Sequence, residues 1–186
     1  MVTPMTTTPD LCPQDALETA LRTLSDSDDV SAIDVLLASY PSDPRLHFLK
    51  GSVLAGTRHY DEARQAIGRA VELAPEYDIA RFQLGFLAFT SGEPLVATGV
   101  WEPLLERPAE YALRLFAEGL MRLTSDDVAG CVETLRLGMA SNTEYPPLNR
   151  DMQLLIDELV RQQPAPDEPS SATDQLLRQF NTGPRH

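Results

Sequence analysis

From residue 14 onward, apolar and polar positions alternate with the period of an α-helix rather than a strand. Ala16, Leu17, Ala20, Leu21 and Leu24 recur every three or four residues, and Asp15 and Glu18 suit the positive end of the helix dipole. The run Ser25, Asp26, Ser27, Asp28, Asp29 then breaks the pattern. It lacks the glycine and the distal glutamate that a calcium loop needs, so a solvated turn with an N-cap is expected there. A second helix follows over 30–39, with Ile33, Leu36, Leu37 and Tyr40 on its apolar side, and Pro41 and Pro44 stop it.

Beyond Pro44 the pattern repeats. Gly51, Gly85 and Gly119 stand 34 residues apart, and the same step carries Ala63 to Ala97 to Cys131 and Ile67 to Trp101 to Leu135. A fixed period of this length marks stacked supersecondary units, each of which buries its apolar face against the next. In 44–77 the apolar positions predict two helices around a turn at Gly56 to His59. Small residues at Gly51, Ala63 and Ala70 allow the helices to approach closely. The unit 78–111 keeps Leu84, Gly85, Gly92, Ala97, Trp101 and Leu104. Pro94 suits a helix start, whereas Pro103 predicts a kink or an early end after Trp101. The unit 112–145 keeps Gly119, Cys131, Leu135 and Gly138.

This distribution of small and large residues, closing on Glu72-Leu73-Ala74-Pro75-Glu76-Tyr77, resembles the tetratricopeptide repeat (TPR) family. The likeness is specific from Tyr60 to Pro75 and weaker before it, where His47 and Lys50 replace the usual aromatic and leucine. The resemblance implies an all-α, right-handed α-solenoid of three TPR-like helical hairpins, with an irregular helix pair over 14–43 before it. A helix over 146–163, apolar at Met152, Leu155, Ile156 and Leu159, has the two-sided character of a solubility cap. Residues 1–13 read as a disordered lead. Residues 164–186 read as a linker, by composition, and a short helical tail with Leu176, Leu177 and Phe180 on one side.

Composition narrows the function. The 186 residues are 42% hydrophobic and carry a net charge of −13, with a pI near 4.5 and a mean hydropathy of −0.21. Positive charge rests on arginine except at Lys50 and forms no basic face, which argues against a nucleic-acid partner. Cys12 and Cys131 are too few and too far apart for a disulfide framework or a zinc site, so Cys131 is expected as a buried small hydrophobe. No signal-peptide pattern and no run of membrane-spanning length occurs, and the expected location is the cytoplasm. His47, His59 and His186 lack ligand-spaced partners, and no catalytic or nucleotide-binding motif is present. Neither an enzyme nor a cofactor or metal site is expected.

The first helices of the repeats carry more apolar residues than a single packed side would use. Ile79, Phe82, Phe86 and Phe89 form one stripe, and Leu113, Phe116, Leu120 and Leu123 form its counterpart, with Phe48 in the first unit. In the TPR family such helices line a concave groove, so these nine positions are the expected binding site for an apolar helix or peptide of a partner protein. Charge at Phe82 or Phe116 is then expected to abolish binding and spare the fold. TPR adaptors that hold the acidic tails of heat-shock chaperones use Lys, Arg and Asn in the groove. Here the matching neighbourhood is Phe48, Ser52, Phe82, Gln83, Phe86 and Leu113, which gives a carboxylate no charged donor. Two alternatives stand beside this reading. In one, Leu176, Leu177 and Phe180 fill the groove in the same chain or in a second copy, giving a self-associating structural protein. In the other, the chain is similar to the small acidic TPR chaperones of type III secretion.

Overall fold

The computed structural model describes residues 11–26 and 30–162 of the chain. The described residues are helical, with no strand, and pack as an all-α solenoid of TPR-like hairpins. The chain divides into two compact units after Asn142.

The first unit opens with α1 (Gln14–Asp26) and α2 (Ser31–Ser39). Three hairpins follow: α3 (Pro44–Gly56) with α4 (Tyr60–Leu73), α5 (Asp78–Thr90) with α6 (Pro94–Leu105), and α7 (Ala112–Arg122) with α8 (Val128–Ser141). A 3-10 turn, Leu123–Ser125, extends α7. Within the three hairpins each helix packs most extensively on its hairpin partner, the second helix of one hairpin packs on the first helix of the next, and α5 also touches α7. The second unit holds α9 (Pro146–Gln162), whose buried line is Leu148, Met152 and Ile156. It starts two residues before Leu148, because prolines at the first helical positions need no N–H partner.

The 34-residue ladder is a set of steric pairs. A Cβ on Gly51 would collide with the Ile67 side chain and lie 3.0 Å from the Ala63 carbonyl oxygen. One on Gly85 would enter the Trp101 indole, and one on Gly119 would lie 2.9 Å from Leu135 Cδ2. Ile67, Trp101 and Leu135 are all fully buried. Each hairpin therefore seats one large side chain of its second helix on the glycine of its first. Trp101 is the largest of the three, and its indole N–H donates to the Phe82 carbonyl oxygen at 3.0 Å, so the buried polar atom is satisfied.

Three expectations change. The helix α6 runs past Trp101 to Leu105 with Pro103 inside it. Both Pro103 and Gly99, whose carbonyl loses its donor, are exposed, so water can take up that acceptor and the helix continues. The first apolar helix also runs on to Asp26, past the Ser25 at which the break was placed. The predicted disordered lead overlaps residues that are ordered by a buried cluster. Cys12 N–H donates to Asp43 Oδ2 at 2.8 Å, and Arg45 Nη2 donates to the Cys12 carbonyl oxygen at 2.7 Å. Asp43 is fully buried, caps α3 through Arg45 N–H, and pairs with the Arg45 guanidinium at 2.7 Å. Residues 27–29 of the expected turn, residues 1–10 and the whole 163–186 segment, including Leu176, Leu177 and Phe180, lie outside the described residues.

Candidate protein-binding surface

The nine expected groove residues separate into two groups by burial. Phe82, Leu113, Phe116 and Leu120 are fully buried and Ile79 is 6% exposed. Their surroundings are internal to the repeats. The Phe82 ring lies 6.0 Å from Trp101 and 5.9 Å from Phe116, centroid to centroid, and a Cβ on Gly138 would lie 2.7 Å from the Phe116 ring. Phe82 and Phe116 are thus rings of the core that join α5 to α6, α7 and α8. Part of the apolar excess on α5 follows from its position. It touches α4, α6 and α7, so Ala80, Leu87 and Ala88 are buried on its other sides as well. Charge at Phe82 or Phe116 would enter this core, and the fold would not survive it.

The other group stays partly open: Phe48, Phe86, Phe89 and Leu123 are half-buried. They lie on α3, on α5 and in the turn after α7. Each of the three aromatic rings is braced from behind. Phe48 lies 5.2 Å from Tyr77, Phe86 stacks at 6.1 Å on Phe82, and Phe89 lies 5.9 Å from Trp101. Between α3 and α5, Ser52 Oγ donates to Gln83 Oε1 at 3.1 Å, which fixes the spacing of the two helices beside Phe48 and Phe86. Periodicity gave no sign of this bond, because a Ser and a Gln on separate helices carry no spacing signature. The polar neighbours shown beside Phe48 and Phe86, Ser52 and Gln83, are neutral.

Several charged groups are paired with one another across elements. Arg64 on α4 reaches Glu93 through two bonds of 2.9 and 2.6 Å. Arg107 holds Glu76 at 2.6 Å and Asp78 at 2.9 Å, and its guanidinium pKa is raised by those two carboxylates, Asp78 first. Such pairs tie neighbouring elements of the repeats together. The two cysteines are free and buried, and burial pushes the Cys131 thiol up to about 11, far from a reactive thiolate. Among the described residues no cluster of His, Cys, Asp or Glu could hold a metal ion. No helix among them is long and apolar enough to cross a membrane.

Fold and surface together define a class: a helical-repeat protein whose hairpins resemble TPR units. No family model matches the sequence, and no curated protein matches it either. Among solved structures, 23 chains match. One is MamA 41-end from Desulfovibrio magneticus RS-1, with a TM-score of 0.57 and 14% identity, covering 82% of this chain and 97% of that one. Another is the MamA RS-1 ArsTM double mutant, with a TM-score of 0.56 and 15% identity over 90% of each chain. MamA is a TPR-repeat protein, and at these identities the likeness is one of fold.

Proposed function

We propose that the chain is a protein-interaction module that takes an apolar helix or extended segment of a partner protein along Phe48, Phe86, Phe89 and Leu123. The observation that carries this reading is the contrast along the stripe. Phe82 and Phe116 are sealed in the core, while these four apolar groups remain half open on α3, on α5 and in the turn after α7. Exposed apolar surface held in place by a packed scaffold is the usual mark of an interaction site. Covering the rings would contribute about 25 cal/mol per Å² of apolar area, less the cost of association. The net charge of −13 favours a neutral or basic partner and governs its approach more than its affinity.

The test uses the full chain. Phe86→Asp and Phe89→Asp are each compared with the wild type for capture of partners from the native cell, with helicity followed by circular dichroism. The proposal expects a captured protein that both variants lose at unchanged helicity. Equal capture by all three contradicts it. A chain cut after Gln163 tests the self-filled alternative, in which the wild type binds nothing and only the shortened chain captures a partner or gains dye binding.

A further inference from the structure

The outward side of α6 differs in chemistry from its counterpart one repeat earlier. On α4 the exposed ladder positions are Asp61, Gln65 and Arg69, a solvated face of mixed charge. On α6 the same positions are Leu95, Gly99 and Pro103, all exposed, with Leu95 at 87% and its neighbour Val96 at 45%. Exposed Glu102 and Glu106 continue this stripe, because residues three or four apart share one side of a helix. The stripe is therefore apolar at its start and acidic at its end. Neither glutamate forms a salt bridge within the described residues, the last turn of α6 holds no basic residue, and neighbouring Arg107 is taken by Glu76 and Asp78. Carboxylates at the negative end of a helix dipole are unfavourably placed without a cation. Between the two halves, the Gly99 carbonyl has lost its helical donor to Pro103, and a Cβ on Gly99 would meet no atom within 4 Å, so that acceptor stands uncovered.

We infer that this face of α6 docks a basic amphipathic helix of another protein, which covers Leu95 and Val96 with apolar side chains and brings Lys or Arg to Glu102, Glu106 and the Gly99 carbonyl. Charge complementarity fixes that occupant. A wholly apolar partner would bury the Glu102 carboxylate and the Gly99 acceptor without donors, which opposes binding. A second copy of the same face would add its own unpaired carboxylates and supply no cation, in a chain of net charge −13. Ammonium or guanidinium groups give these acceptors their missing donors and neutralise the end of the helix as well. The partner segment is helical because a single free main-chain acceptor is too few for an extended strand to pair with, and Gly99 leaves room for a helix to approach closely. Glu102 lies seven residues beyond Leu95, about 10 Å along the axis, so the apolar and basic anchors of the partner stand about two turns apart.

The test places a photo-cross-linking phenylalanine analogue at Leu95 of the full chain and, as a control, at Gln65, with irradiation in the native cell and sequencing of the cross-linked peptide by mass spectrometry. The expected product forms at position 95 and not at 65, and is one segment of another protein with Lys or Arg about two turns from its apolar residues. That segment is then synthesised and titrated onto the full chain by fluorescence anisotropy. Glu102→Lys with Glu106→Lys is expected to weaken binding by at least about tenfold at unchanged helicity, and Leu95→Ser and added salt to weaken it too. Phe86→Asp leaves it unchanged, which separates this surface from the row of rings on α3 and α5. No product at 95, an equal product at 65, or a product with a second copy or with the chain itself overturns the inference. A segment without basic residues, or one whose binding ignores the charge reversal, overturns it as well.

Discussion

Gly85 and Gly68 sit in neighbouring repeats and have opposite reasons to be small. A Cβ on Gly85 would lie 2.6 Å from Trp101 Cδ1, whereas one on Gly68 would meet nothing within 4 Å. Gly85→Ala is expected to lower stability by about 1–3 kcal/mol through overpacking, and Gly68→Ala to raise it by about 0.5–1 kcal/mol through helix propensity. Urea titration of both variants measures the contrast, and equal effects would contradict the seating of Trp101 on Gly85. The glycine ladder was legible in the sequence because each rung is a pair at a constant step. The fate of Phe82 and Phe116 was not. Periodicity reports that a position is apolar, and only the packing of α5 among α4, α6 and α7 decides whether that apolar group faces a neighbour or solvent. By the same logic Phe82→Asp is expected to abolish the cooperative thermal transition, whereas Phe86→Asp retains it.

At the scale of elements, helix boundaries followed local chemistry and were mostly readable. Pro44 and Pro94 start helices, and Asp127 accepts from Gly130 N–H at 2.9 Å as the cap of α8. Continuation of α6 through Pro103 was not readable, because it depends on Gly99 and Pro103 both facing water. The latch at the start of α3 was equally hidden, since Cys12 and Asp43 are 31 residues apart and share no pattern. Burial by itself pushes the Asp43 carboxyl up. The Arg45 guanidinium and the N–H groups of Cys12 and Arg45 outweigh it and hold the pKa below the usual carboxylate value. Because the folded value is the lower one, this stabilisation is complete above the unfolded pKa of about 3.9 and is lost as pH falls through and below it. Asp43→Asn is therefore expected to cost about 2 kcal/mol near neutral pH. Its melting temperature should converge on that of the wild type as the pH drops below about 4. A gap between the two that persists at low pH would contradict the charged latch.

At the scale of the molecule, stacking of hairpins leaves two kinds of apolar surface. The first helices present Phe48, Phe86 and Phe89, the turn after α7 presents Leu123, and the second helix of the middle repeat presents Leu95 and Val96. The first was visible as part of a longer stripe. The second emerges only when the outward positions of one repeat are set against those of the next, Asp61 against Leu95 and Arg69 against Pro103. The most direct measurement of the central claim is retention of a native partner by immobilised full-length chain, comparing the wild type with the Phe86→Asp/Phe89→Asp variant at matched helicity and melting temperature. The account predicts that the partner is retained by the wild type and lost by the variant. Retention of the same partner in equal amount by both would contradict it.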